Sequence, residues 1–242
     1  MMIELKNLKC AFDKRTILEN ISLKIEGHLS ILGANGSGKS TLAKAICSLI
    51  EFSGEVSINE ISIKKLSLNE KAKTLSYIPA KLEIYDSFIT VEEFVLLGRF
   101  PYKKSFFEYS DKDKNIAKQT LEFLKISHLK DNSVSSLSSG EQQLALIAQA
   151  LTQQSKIIIF DEPTANLDPH NSKIIAEHIK GLKEYHQVIL ITHDLHLASY
   201  VNSPVVFIKD KTTHYYEDDF FNDATLEELY KVSFNSLAVK YD

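Results

Sequence analysis

One stretch constrains this chain more than any other. Gly33-Ala34-Asn35-Gly36-Ser37-Gly38-Lys39-Ser40 stands between an apolar run, Leu29 to Leu32, and a helix-like run from about Lys39 to Leu49. Glycines at these spacings let the backbone fold so that successive N–H groups face one point, and a helix N-terminus adds partial positive charge there. The concavity suits a phosphate. Lys39 would neutralise β and γ phosphates, Ser40 would offer its hydroxyl to Mg2+, and a merely structural glycine turn has no need of the Lys-Ser ending.

The rest of the chain suits a P-loop α/β core. Ile3 to Leu8, Ile17 to Ile25, Gly54 to Asn59 and Leu75 to Pro79 read as short strands, with Ile63 to Lys73 as a charged linking segment. Residues 86–151 read as a mainly helical lobe inserted into that core, with Ser110 and Asp113 as a capping box. Lys156 to Phe160 and Val188 to Thr192 are continuous apolar runs suited to strands buried on both faces of a parallel sheet. Helices from Asn171 to Tyr185 and from Leu195 to Val201 alternate with them, and two strands with a helix near Leu226 to Tyr230 complete the tail. At 242 residues this is one domain with a lobe.

Composition narrows the function. A net charge of −4 gives no general attraction for nucleic acid, so no nucleic-acid partner is expected. Cys10 and Cys47 have neither metal-ligand nor redox spacing and read as reduced, buried thiols. The N-terminus alternates like a strand rather than a signal peptide, and the apolar runs are far shorter than the ~20 residues of a membrane-spanning helix. A cytoplasmic chain is expected, with any membrane part supplied by another subunit.

Asp161 and Glu162 follow a buried-type strand, at the edge where open parallel sheets bind ligands. Asp161 would hold Mg2+ directly or through water, and Glu162 would orient or deprotonate an attacking water. His193 follows the next such strand and would project from the same edge. Leu137-Ser138-Ser139-Gly140-Glu141 opens an apolar-faced helix; alone, it is an ordinary helix cap.

Taken in order, these motifs resemble the ATP-binding-cassette ATPases over nearly the whole chain. The resemblance implies a RecA-like P-loop core with a mainly parallel sheet, an N-terminal antiparallel β subdomain and an inserted helical subdomain. Gly33 to Thr41 resembles the family's Walker A, placing Gly33, Asn35, Gly36, Ser37, Gly38, Lys39, Ser40 and Thr41 on nucleotide. Leu137 to Glu141 resembles its signature, with Ser138 and Gly140 binding phosphate from the opposite subunit and Ser139 and Glu141 beside them at the nucleotide. Ile157 to Glu162 resembles Walker B, Ala165 to Asp168 the D-loop, with Asp168 at the nucleotide, and His193 the switch histidine. Phe12 matches the aromatic that stacks on adenine, although an aromatic there reads equally as core. Glu162, His193 and Lys39 are the expected catalytic residues, Ser40 and Asp161 the metal ligands, and ATP with Mg2+ the cofactors.

The resemblance further implies a homodimer, or a pair with a second ATPase subunit, seated on integral membrane permease subunits at the inner face of the cytoplasmic membrane. A solute-binding protein would act indirectly. Ile89 to Tyr102, with its Gly98-Arg99-Phe100-Pro101-Tyr102 ending, is similar to a stretch in ATPases of iron–siderophore, haem and vitamin B12 importers. Arg99 and Tyr102 are expected to form a docking edge for the permease. Alternatives are a soluble cassette ATPase of repair or cofactor assembly, and an exporter ATPase; a GTPase lacks its Asn-Lys-x-Asp motif here. Two positions depart from the family pattern. Ala80 stands where a glutamine contacting Mg2+ follows Tyr77-Ile78-Pro79, and Ser139 replaces a glycine, which it can do if its φ is negative.

Overall fold

The computed structural model describes residues 1–13, 15–83, 86–103 and 108–231. Two sheets and a helical lobe pack around separate apolar clusters on the two faces of the parallel sheet, with a third at the final helix.

The N-terminal sheet is antiparallel, in the order β2 (Arg15–Ile25), β1 (Ile3–Phe12), β4 (Ser53–Ile58) and β5 (Ile61–Ser62). Its inward positions, Ile3, Leu5, Leu8, Leu18, Ile21 and Val56, are sealed from solvent. Register shifts between Leu5 and Ala11 let β1 continue to Phe12, four residues past the expected stop at Leu8.

The second sheet has the order β10 (Thr212–Tyr216), β9 (Val205–Lys209), β3 (Leu29–Gly33), β8 (Gln187–Ile191), β7 (Ile157–Asp161) and β6 (Leu75–Ile78). Every neighbouring pair is parallel except β9 with β10. β7 and β8 are buried along their whole length, and their runs of apolar, largely β-branched residues suit strands covered on both faces. Helix α1 (Lys39–Ile46) covers one face, and α6 (Pro169–Leu182) and α7 (Leu195–Val201) belong to the apolar cluster on the other. The α/β core with a mainly parallel sheet, the antiparallel β sheet and the helical lobe are thus all present.

The charged segment Ile63 to Lys73, expected as a linker, is instead a 3-10 turn at Ile63–Lys65 followed by α2 (Leu68–Thr74). This helix buries no side chain, so it carries no apolar stripe to announce it. A Ser67–Glu70 capping box starts it. Helix α1 stops at Ile46, short of the expected Leu49, where Ser48 turns left-handed at φ 56°. Helix α6 begins at Pro169, earlier than expected, because Asp168 caps it and proline at its first position suits the helix start.

The lobe is built from α3 (Val91–Leu96), α4 (Asp111–Phe123) and α5 (Ser139–Thr152) around Val91, Val95, Ala117, Leu121 and Ile147. Capping boxes at Thr90/Glu93, Ser110/Asp113 and Ser138/Glu141 open them. After α3 the chain forms a 3-10 segment, Leu97–Tyr102, lying directly on α5: a β-carbon at Gly98 would overlap the Gln149 carbonyl oxygen. The final helix, α8 (Asp223–Tyr230), packs Leu226 and Tyr230 against Phe207 and Leu32. The remainder of the expected tail lies outside the described residues.

Candidate active site

The loop after β3 places its glycines in backbone conformations that other residues seldom adopt: Gly36 has φ 77° and Gly38, the N-cap of α1, has φ 105°. α1 has no side-chain cap, which leaves N–H groups of its first turn without a capping side chain and open to an anion. Lys39 is buried at 6% exposure, and its Nζ donates to the Gly33 and Ala34 carbonyls at 2.9 and 3.2 Å. The ammonium group is thereby held against the loop it would share with a phosphate.

The ends of β3, β7 and β8 bring the remaining residues together. Ser40 Oγ donates to Asp161 Oδ1 at 2.9 Å, and Tyr77 OH donates to Asp161 Oδ2 at 2.6 Å. Asp161 is 3% exposed. Burial first, then the Asp161 carboxylate, push the Tyr77 phenol well above its usual range, so it stays protonated as a donor. Hard oxygens from Ser40 and Asp161, side by side beyond the phosphate loop, fit Mg2+, which takes few protein ligands alongside phosphate oxygens.

Glu162 leaves β7 with a left-handed backbone, φ 52°, a conformation uncommon for a non-glycine residue, and its N–H donates to the Ile191 carbonyl at 2.8 Å. This turn directs its carboxylate between two partners. Oε1 is 3.6 Å from Lys39 Nζ, and Oε2 is 2.8 Å from His193 Nδ1 while accepting the His193 backbone N–H at 3.3 Å. Glu162 is mostly buried, whereas His193 is half exposed. Burial, with a smaller contribution from Glu162, pushes the Tyr230 phenol up to about 12.

Other expected residues lie elsewhere. Phe12 is 50% exposed at the tip of the β1–β2 hairpin, whose Ile17 and Leu18 pack on Gly38. Ser138 donates to Glu141 Oε2 at 2.6 Å within its capping box, and those hydrogen bonds hold the Glu141 carboxyl below its usual pKa. Ser139 has no positive φ, so the serine fits the helix start without strain. Gly140 is buried against the Asn171 side chain. Asp168 caps α6, accepting from the His170 and Asn171 backbone N–H groups at 2.9 and 3.0 Å. The Ser138–Glu141 segment therefore caps the lobe helix, apart from the cluster of Lys39, Ser40, Asp161, Glu162 and His193.

The expected docking edge at Arg99 is corrected by the structure. Arg99 is 3% exposed; its Nε donates to Asp113 Oδ1 at 2.8 Å, and one guanidinium nitrogen donates to the Thr152 carbonyl and the Gln154 side chain at 2.9 Å each. Its plane also lies 3.8 Å from the centre of the Tyr102 ring. A buried guanidinium paired in this way fastens the 3-10 segment to α4 and α5.

A phosphate-accepting nest, a buried lysine, a Ser–Asp oxygen pair and a glutamate held beside a histidine, all at the C-terminal edge of a parallel sheet, define a P-loop ATPase. Residues 18–165 match the family model described as ABC transporter. The chain belongs to the ABC transporter family, as one of its ATP-binding, ATP-hydrolysing cassettes.

Two relatives and one solved structure illustrate the match. An uncharacterized ABC transporter ATP-binding protein of Methanocaldococcus jannaschii is 35% identical, covering 87% of this chain and 83% of that protein. A petrobactin import ATP-binding protein of Bacillus subtilis is 30% identical, covering 96% of this chain and 94% of that one. The fold is similar to a dimeric ATP-binding cassette in a post-hydrolysis state bound to ADP and Pi, with a TM-score of 0.76 and 25% identity over 89% of this chain and 98% of that one. Among the described residues no helix is long and apolar enough to cross a membrane.

Proposed function

We propose that this chain is the MgATP-hydrolysing subunit of an importer for iron–siderophore chelates, working as a dimer on membrane permease subunits at the inner face of the cytoplasmic membrane. The observation that carries the reading is the convergence of Lys39, Ser40, Asp161, Glu162 and His193 at one sheet edge. The solute class is supported by likeness to a petrobactin import subunit along nearly the full length of both chains.

The site's own residues account for the chemistry. The nest and Lys39 receive the triphosphate, drawing the ammonium group off Glu162. Glu162, still held by His193, then takes a proton from a water that attacks the γ-phosphorus, while the bond to the β-phosphate oxygen breaks and ADP leaves. Mg2+, held by Ser40 and Asp161, would supply charge neutralisation for the phosphates. Phe12 offers an exposed ring for the adenine face. Ser138, Ser139 and Gly140 would approach the γ-phosphate of the partner subunit, with Glu141 and Asp168 holding the two helix starts that surround it.

A permease contact is supported by exposed apolar side chains on the lobe. Phe88 is 88% exposed and lines, with Ile89, Leu96, Leu97 and Tyr109, a groove of about 500 Å3. This groove, rather than Arg99, is where a permease segment would sit.

The test is reconstitution with the permease in liposomes. ATP-dependent uptake of a ferric siderophore, lost with Glu162→Gln, is the expected result. ATP hydrolysis and dimerisation without membrane association would instead identify a soluble cassette.

A further inference from the structure

We propose that Tyr77 is a positioning residue of the Mg2+ site, fixing the Asp161 carboxylate from the β6 side, where Ala80 supplies only a methyl group. The inference rests on reading this sheet edge as a MgATP site.

Asp161 is almost wholly buried, and each of its oxygens accepts a side-chain hydroxyl: Oδ1 from Ser40 and Oδ2 from Tyr77. A hydrogen bond to a carboxylate at 2.6 Å belongs to the strong, charge-assisted class. Two donors on opposite oxygens fix the carboxylate plane as well as its position. Because the Ser40 hydrogen is spent on Asp161, its lone pairs are left for a cation.

The strand register explains why tyrosine is needed. β6 and β7 run parallel with Tyr77 beside Ile159, two residues before Asp161. At ~3.3 Å per residue, the hydroxyl must be carried roughly 6.6 Å along the sheet. A tyrosine ring spans that distance; serine or threonine at 77 would fall short, and phenylalanine would arrive without a donor.

Ala80, three residues further on, lines a space of about 390 Å3 with Ser139, Gln143, Asn166 and Leu167. Its methyl group can neither ligate a cation nor hold a water. Among the described residues of β6 and its continuation to Ala80, the hydroxyl of Tyr77 is what reaches the cation ligands. Movement of β6 or of the loop leading into the helical lobe would therefore act on Asp161 through this bond.

The experiment measures ATP affinity by calorimetry with the full chain in a Glu162→Gln background, which prevents turnover. Each variant is titrated once in EDTA and once in Mg2+. Tyr77→Phe is expected to bind ATP in EDTA within about twofold of its parent, yet to lose about tenfold of the affinity that Mg2+ adds, the usual consequence of losing a hydrogen bond to a charged group. The electron paramagnetic resonance spectrum of Mn2+ in the ATP complex should change with it. In an Asp161→Asn background the same substitution should have no further effect.

An equal Mg2+ gain in Tyr77→Phe and its parent overturns the role of Tyr77, as does an equal loss in EDTA and in Mg2+, which a merely structural tyrosine would produce. A parent that gains nothing from Mg2+ overturns the MgATP reading itself. Should Tyr77→Phe fail to fold, 3-fluorotyrosine at position 77 replaces it. Its fluorine resonance should shift when Mg2+ is added to the ATP complex, and an unmoved resonance overturns the proposal.

Discussion

The candidate catalytic edge of the core and the 3-10 segment of the helical lobe both carry charged residues in motif-like runs, yet they use charge in opposite ways. At the edge, Asp161 and Glu162 sit where β7 ends and Lys39 where α1 begins, and a hydrogen bond from Ser40 to Asp161 and an ion pair between Lys39 and Glu162 draw them together. In the lobe, Arg99 turns inward and spends its donors on Asp113, Thr152 and Gln154. A strand's C-terminal end has a fixed place relative to its neighbours, so a charge there faces a predictable opening. A charge on a short helical turn faces whichever element packs over it. Lys39, Asp161 and Arg99 are all almost fully buried, so burial does not tell a candidate reaction centre from a structural clamp; the partners of each charge do.

The sharpest way to break this comparison is Glu162→Gln. Turnover should fall at least about 100-fold, while ATP binding and ATP-dependent dimerisation, followed by light scattering, persist. A variant that still hydrolyses ATP at the parental rate would remove Glu162 from the reaction.

Next comes Arg99→Ala, which strands a buried carboxylate and should cost about 3 kcal/mol in urea unfolding. A cost below about 0.5 kcal/mol, with lost permease binding, would restore Arg99 as a docking residue.

The clamp should also be sensitive to acid. Burial alone would raise the Asp113 carboxyl, but hydrogen bonds from Ser110 and Arg99 outweigh it and hold the pKa below the ordinary value. Because the folded-state pKa is depressed, this stabilisation is complete above the usual carboxylate range and is lost as pH falls through the lowered value. The stability gap between the parent and Asp113→Asn should therefore narrow as unfolding is measured from pH 7 down to pH 3. A gap independent of pH would contradict it.

A smaller effect is expected at the unannounced helix α2. Ser67→Ala removes its N-cap and should cost about 1 kcal/mol. The smallest concerns Ala80: Ala80→Gln should raise turnover of the assembled complex by a few-fold, and an unchanged rate would show that Ala80 does not limit hydrolysis.

Legibility differed by region for physical reasons. The phosphate loop, the buried strands β7 and β8 and the residues at their ends could be read because their constraints are local: glycine geometry, continuous burial and a motif fixed by ligand size. Helix α2 escaped because it has no apolar face, although its Ser67–Glu70 box was a readable start signal. Tyr77 was visible as a strand residue, but its bond to Asp161 joins positions 84 residues apart.

Short-range geometry and motif order are enough to specify the strand–loop–helix frame, the family and the candidate site residues. Only the tertiary structure decided that Arg99 is a clamp, that Tyr77 reaches Asp161 and that Glu162 rests between Lys39 and His193. Those facts depend on which residues, distant in sequence, are brought side by side by the fold, and on the high cost of leaving a buried charge unpaired.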